Sequence, residues 1–356
     1  MALERRRSNE IKVGNTVIGG TSPITVQSMT NTDTYDVEAT ARQVKALEAA
    51  GCDIVRITVP HADAAPIFTE LKKRGIRIPL VADIHFSHEA AIASVLAGAD
   101  KIRINPGNIG SRERVAEVAK ACKAHGVPIR IGVNSGSLEK SILARHGAPT
   151  AEALVESALY HAGLLEELDF HDIAVSVKAS DVPTMIAANR LLAERTPYPI
   201  HLGVTEAGAR TSAIVKSSIG IGTLLAEGIG DTLRVSLTDD PTKEIEAARE
   251  ILKALELSDE LGIRIVGCPT CGRTKIDLIR LLSEFEDRIK AEGLDKKPIK
   301  VALMGCVVNG PGEAREADIG IAGGIGEGLL FKRGEPVRKI PEARLIDELI
   351  AEIKEM

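Results

Sequence analysis

The chain has 356 residues, 44% of them apolar and only 2% aromatic, with no tryptophan and a formal net charge of −5. That balance argues against a generic nucleic-acid surface, which needs a basic face and stacking aromatics. No apolar run reaches the ~18 residues of a membrane span, and no apolar segment follows Met1-Ala-Leu-Glu-Arg-Arg-Arg, so the start does not read as a secretory signal.

Five cysteines, an odd number, do not make a disulfide framework, and a reducing cytoplasm is the expected setting. The length leads to an expectation of two domains. From about residue 24 to 256 a short β-branched run followed by a helical stretch recurs eight times. The expected strands are 24–29, 53–59, 78–84, 101–105, 129–133, 172–178, 200–205 and 232–238. Helical segments include 37–50, 90–97, 112–124, 151–168 and 182–194, and Gly51, Gly75, Gly98 and Gly126 each follow one, as C-caps do. Eight such units predict an α/β fold of the (β/α)8 barrel type over residues 1–256. A doubly wound sheet is the competing expectation, but Thr30-Asn-Thr-Asp33 follows the first strand where a GxGxxG turn would stand.

In such barrels the chemistry lies at the C-terminal ends of the strands. Those ends carry Gln27, Arg56, Asp83 and His85, Arg103 and Asn105, Arg130 and Asn134, Lys178, Thr205 and Glu206, then Arg234 and Ser236. Cations inside apolar strands are costly to bury unless paired. Five of them, on the second, fourth, fifth, sixth and eighth strands, point to a shared site for a small polyanion such as a diphosphate. A structural ion pair is the other reading of each. Gly220 and Gly222 are expected to serve close packing, and Gly323–Gly328 a tight hairpin. Cys52 and Cys122 read as small apolar fillers. His61, His88, His125, His146, His161 and His171 read as solvated.

Residues 257–262 read as a linker to a second domain, 257–356. It should contain a strand (263–266), a helix (274–292), two further strands (299–304 and 318–322), a hairpin through Lys332-Arg-Gly-Glu335 and a final helix (342–354). Cys268-Pro-Thr-Cys271 and Cys306 each follow a strand. Glu313 stands seven residues past Cys306, across an Asn-Gly-Pro-Gly turn. Structural zinc wants four Cys or His ligands, yet all eight histidines lie at or before His201. An iron–sulfur cluster suits soft thiolates and tolerates one unusual ligand. On spacing alone a cluster, a zinc knuckle and a redox dithiol all stay open.

CPTCGR (268–273) and CVVNGPGE (306–313) occur together with VQSMT (26–30), VRITVP (55–60), ADIHF (82–86), KIRINPGN (101–108), RIGVNSGSL (130–138), SVKAS (176–180) and GVTEAG (203–208). This set, spread over almost the whole chain, closely resembles the 4-hydroxy-3-methylbut-2-enyl diphosphate synthase family in its bacterial two-domain form. The resemblance implies a barrel followed by a domain similar to the cluster module of sulfite reductases. It implies one 4Fe-4S cluster per subunit on Cys268, Cys271, Cys306 and Glu313, and flavodoxin or ferredoxin as electron donor. It also implies a head-to-tail homodimer in which one subunit's cluster domain covers the partner's barrel. The implied reaction is reductive ring opening of 2-C-methyl-D-erythritol 2,4-cyclodiphosphate, on the methylerythritol phosphate route to isoprenoids. Arg56, Arg103, Arg130, Lys178 and Arg234 would then meet the diphosphate, with Asn134, Thr205 and Ser236 adding neutral bonds. Glu206, Asp83 and His85 would be the candidate proton-handling groups. The competing function is a cofactor-free barrel for phosphorylated ligands with a structural zinc domain, and a third is a dihydropteroate-synthase-like transferase barrel.

Overall fold

The computed structural model describes residues 4–258, 262–307 and 314–356, apart from the side chains at 106 and 107. The expected ligand Glu313 and part of the expected linker lie outside the described residues. The chain divides into two compact units, Met1–Ser258 and Asp259–Met356.

The first unit opens with an antiparallel pair that the sequence pattern did not announce, β1 (Ile11–Val13) and β2 (Thr16–Ile18). Strands of three residues carry too few alternations to show a period. Eight strands follow: β3 (Thr25–Met29), β4 (Ile54–Thr58), β5 (Leu80–Asp83), β6 (Lys101–Ile104), β7 (Ile129–Asn134), β8 (Ile173–Lys178), β9 (His201–Leu202) and β10 (Thr232–Leu233). All pair in parallel, from β8 down to β3 and then through β10 to β9. A parallel bridge between Val175 and Ile200 joins the two ends, so the sheet is a closed barrel and not the open doubly wound alternative.

The strands obey one division. Outward side chains such as Val55, Ile57, Ile102, Ile104, Ile131 and Val175 pack on the surrounding helices. The barrel interior is polar instead: Asp83, Lys101, Arg103, Arg130, Ser176, Lys178 and His201 are all buried there. Below them, Ile54, Val81 and Ala174 form a small apolar layer with Ile11, Val13 and Ile18, so the hairpin plugs the end where the strands begin.

Five of the barrel helices start where a short polar side chain, that of Asp36, Ser87, Thr150, Asp181 or Asp240, accepts a backbone N–H. Gly51, Gly75, Gly98 and Gly126 close helices at φ of 88°, 80°, 96° and 61°, as expected of C-caps. The last two strands are far shorter than 200–205 and 232–238, because the chain leaves the ladder after Leu202 and Leu233 to form the loops of the site.

The second unit holds a sheet in the order β11 (Arg264–Gly267), β12 (Lys300–Met304), β13 (Ile319–Gly323), β14 (Glu327–Lys332), β15 (Glu335–Pro341). The first three strands are parallel and the rest antiparallel. The glycine-rich run closes the β13–β14 hairpin, with the Gly324 N–H donating to the Glu327 carbonyl at 2.7 Å. Helices Leu278–Ala291 and Leu345–Glu355 bury Leu281, Phe285, Leu349 and Ile353 on one face of the sheet. The first of these begins later than 274. Thr274 and Lys275 are engaged in the cysteine loop, through a Cys271 N–H bond to Thr274 Oγ1 at 3.1 Å and a Lys275 N–H bond to the Gly305 carbonyl at 2.9 Å.

Candidate functional site

In the barrel interior the buried acid Asp83 pairs with two of the expected cations. Asp83 Oδ2 stands 3.6 Å from Arg56 Nε, and Asp83 Oδ1 stands 3.3 Å from Arg103 Nη1. Burial alone would raise the Asp83 carboxyl, but Arg56 and Arg103 outweigh it and hold it below the usual carboxylate range. His85 Nε2, half exposed at the rim, lies 4.0 Å from Asp83 Oδ2. Register explains the grouping: Asp83 faces Arg103 across β5–β6, and Arg103 faces Arg130 across β6–β7.

Arg130 is 1% exposed, and its Nε and Nη1 have no protein partner among the described residues. Burial pushes Arg130 and Lys178 well below their ordinary values, and the neighbouring cations push them further. Burial brings Arg56 down to about 10. Groups so strained by desolvation and mutual repulsion favour an anion among them.

Two glycines make the room. A Cβ at Gly132 would lie 2.5 Å from Arg103 Nε. One at Gly203 would lie 2.6 Å from Lys178 Nζ and 2.9 Å from the Arg234 carbonyl oxygen.

The fifth expected cation is committed differently. Arg234 makes a two-point pair with Glu244, Nε to Oε2 at 3.0 Å and Nη2 to Oε1 at 2.8 Å. Asn134 ends β7, and its carbonyl accepts from Ser137 Oγ at 3.3 Å. Ser137 Oγ in turn accepts from Asn105 Nδ2 at 3.1 Å. Thr205 and Glu206 follow β9. The Thr205 N–H donates to the Ala179 carbonyl at 3.2 Å, and Glu206 is exposed in left-handed backbone at φ 52°. Ser236 is half-buried past β10.

Three participants escaped the sequence reading. Lys101 is fully buried, its Nζ has no protein partner, and burial lowers it well below the ordinary lysine range. Its position two residues before Arg103 on one strand was the available signal. His201, also fully buried, has Nδ1 3.3 Å from Thr232 Oγ1. Its place four before Thr205, on the same side of the expected strand 200–205, was the available signal. Glu244 lies on helix Pro241–Ala254, and nothing in its spacing pointed inward.

The histidine expectation needs correction. His61, His125 and His171 are exposed, but His161 is 2% exposed and its Nε2 pairs with Glu139, because helix Ala151–Glu166 turns that side chain inward. The paired glycines divide as well. A Cβ at Gly220 would touch Val204 at 3.0 Å, as close packing requires, whereas one at Gly222 would meet nothing within 4 Å.

In the second unit Cys268 directly follows β11 and Cys306 lies two residues past β12. These are adjacent parallel strands, so the thiols share one sheet end. The Gly305 N–H donates to Cys268 Sγ at 3.1 Å. Cys271 is exposed, and the Arg273 backbone N–H, then its side chain, hold that thiol below its ordinary value. Cys306 is buried. Among the described residues no three His, Cys, Asp or Glu side chains gather as the ligands of one ion do. A polynuclear cluster makes no such demand, since each thiolate takes its own metal atom. Soft donors with an amide aimed at sulfur fit such a group. Cys52 and Cys122 are buried fillers whose thiols burial pushes up to about 12.

Comparison with known families matches residues 8–249 to the GcpE TIM-barrel domain and 264–355 to the GcpE protein C-terminal domain. A Clostridium perfringens relative is 58% identical over 348 residues, covering 98% of each chain. A Ruminiclostridium cellulolyticum relative is 58% identical over 354 residues, covering 99% of each. Both are named 4-hydroxy-3-methylbut-2-en-1-yl diphosphate synthase (flavodoxin). Among solved structures, dihydropteroate synthase from Stenotrophomonas maltophilia aligns with TM-score 0.50 at 16% identity, over 70% of this chain and 98% of its own. The Thermus thermophilus enzyme aligns with TM-score 0.50 at 14% identity over the same shares. At that identity the likeness speaks for the barrel fold alone.

Proposed function

The chain belongs to the GcpE family, whose curated relatives are 4-hydroxy-3-methylbut-2-en-1-yl diphosphate synthases, and from that premise we propose how its residues divide the work. The enzyme is an iron–sulfur oxidoreductase of isoprenoid biosynthesis. It converts 2-C-methyl-D-erythritol 2,4-cyclodiphosphate, two electrons and two protons into the linear 4-hydroxy-3-methylbut-2-enyl diphosphate and water. Opening the ring breaks a carbon–oxygen bond to phosphate, and the C3 hydroxyl departs as water.

The observation that carries the assignment is the cation group at the strand ends, with Arg103, Arg130 and Lys178 buried and Arg56 partly buried beside them. The guanidinium forks and the lysine take the cyclodiphosphate oxygens, and Asn134, Thr205 and Ser236 add neutral hydrogen bonds. Asp83, kept ionised by two arginines, fixes their orientation and faces His85. Glu206 and His85 handle the proton of the departing oxygen. Cys268, Cys271, Cys306 and Glu313 hold one 4Fe-4S cluster per subunit. When bound, the cluster supplies the two electrons and a Lewis acid.

The barrel unit is the substrate domain and the second unit the cluster domain. The parenthetical flavodoxin in the relatives' names makes flavodoxin the electron donor proposed here. We place the enzyme in the cytoplasm, as a head-to-tail homodimer with one subunit's cluster domain over the partner's barrel. Among the described residues no helix is long and apolar enough to cross a membrane. The structural-zinc alternative does not account for the relatives' activity.

The test is anaerobic reconstitution with iron and sulfide, then turnover of the cyclodiphosphate with a strong reductant. The expected result is a visible cluster band and formation of the linear diphosphate. A colourless protein that binds zinc stoichiometrically and leaves the cyclodiphosphate intact would overturn the reading.

A further inference from the structure

Glu244 stands in the first turn of helix Pro241–Ala254, 3% exposed. Its carboxylate is saturated. Oε2 accepts from Ser28 Oγ at 2.7 Å and Arg234 Nε at 3.0 Å. Oε1 accepts from Arg234 Nη2 at 2.8 Å and the Leu237 N–H at 3.2 Å. With four donors on two oxygens, this group has no lone pair to spare for a proton or a metal. It ties together three pieces of backbone: β3 through Ser28, the loop leaving β10 through Arg234 and Leu237, and the helix that carries it.

The pair uses the Nε–Nη2 edge of Arg234. A guanidinium whose side edge is occupied cannot offer that edge to a phosphate. The end edge, Nη1 and the second N–H of Nη2, stays outside the pair. Arg234 is therefore unlike Arg130, which has Nε and Nη1 both without a protein acceptor among the described residues.

We infer that Glu244 is a positioning residue for the anion site. It locks Arg234 side-on, so that this arginine meets the ligand through its Nη1–Nη2 end edge, and Ser28 in turn fixes Glu244. The inference rests on the reading of the barrel interior as the diphosphate site.

A four-member series on the reconstituted full-length enzyme tests it: Glu244→Gln, Arg234→Ala, the double variant and Ser28→Ala. Glu244→Gln places an amide against the guanidinium and frees Arg234 to swing. KM for the cyclodiphosphate should rise about tenfold, with kcat within about threefold and the cluster spectrum unchanged. Arg234→Ala leaves a buried carboxylate without its cation, which repels an incoming anion. It should be the weakest binder of the set, and adding Glu244→Gln should recover binding instead of losing more. A purely structural role would not give that sign. Ser28→Ala should raise KM about two- to threefold, and it decides the matter if Glu244→Gln does not fold. Unchanged KM in Glu244→Gln, or in Ser28→Ala where that variant decides, overturns the inference, as do losses that multiply in the double variant. A wild-type enzyme that turns over while the series stays flat refutes only the role of Glu244. A wild type that neither binds nor reduces the cyclodiphosphate refutes the proposed function itself.

Discussion

At Gly203 the packing leaves no room for a side chain. A methyl there would meet Lys178 Nζ at 2.6 Å and the Arg234 carbonyl oxygen at 2.9 Å. The second contact is backbone and cannot rotate away. Gly203→Ala should therefore lower stability by about 1–3 kcal/mol, as overpacking does, and reduce kcat/KM for the cyclodiphosphate by roughly tenfold or more. Gly132→Ala faces only a side chain, Arg103, at 2.5 Å. It should raise KM with a smaller fall in melting temperature. Calorimetric melting and steady-state kinetics check both, and a Gly203→Ala enzyme with wild-type values would refute the space argument. The same residues show what was legible. Arg56, Arg103, Arg130 and Lys178 stood out because charge breaks an apolar strand. Gly132 and Gly203 carried no such mark, because a missing side chain is silent until its neighbours are placed.

At the scale of elements, the barrel strands and the second sheet were readable from β-branched runs, and their ends carried the site. The β1–β2 plug was not, because three-residue strands lack a period. Nor was the tether after β7, in which Glu139 accepts from Ser157 Oγ at 3.1 Å and from buried His161. Its pH response has a definite sign. Burial alone would raise the Glu139 carboxyl, but the His161 hydrogen bond and others bring it down to about 2. An unfolded glutamate titrates near about 4.3. A depressed folded value means that the stabilisation is fully present above the unfolded value and is lost as pH falls towards the folded one. Between about pH 4.5 and 2 the wild type should lose more stability than Glu139→Gln, measured by urea unfolding at each pH. Parallel stability curves for the two proteins would rule out the tether as an acid-sensitive element.

For the molecule as a whole, two units with separate apolar cores divide the chain between Ser258 and Asp259. A head-to-tail dimer predicts complementation between subunits damaged in different units. Mixed Arg56→Ala and Cys268→Ser subunits should regain part of the activity that each homodimer lacks, with heterodimer formation verified by differential tags. Failure to complement would place both halves of one site in one chain.

The polar barrel interior has a further consequence, for turnover. The cyclic substrate brings two negative charges, whereas the open diphosphate leaves with about three at neutral pH. Cations confined with little solvent, among them Arg130 at 1% exposure and Lys178 at 6%, hold the more highly charged species harder. If this interior holds the diphosphate as proposed, product departure is predicted to be the step that limits the cycle. Raising ionic strength should weaken substrate capture yet speed release, so KM and kcat should rise together. A burst of one product per site before the steady state, shrinking as salt is added, is the transient-kinetic signature of a barrel that opens its ring faster than it lets go.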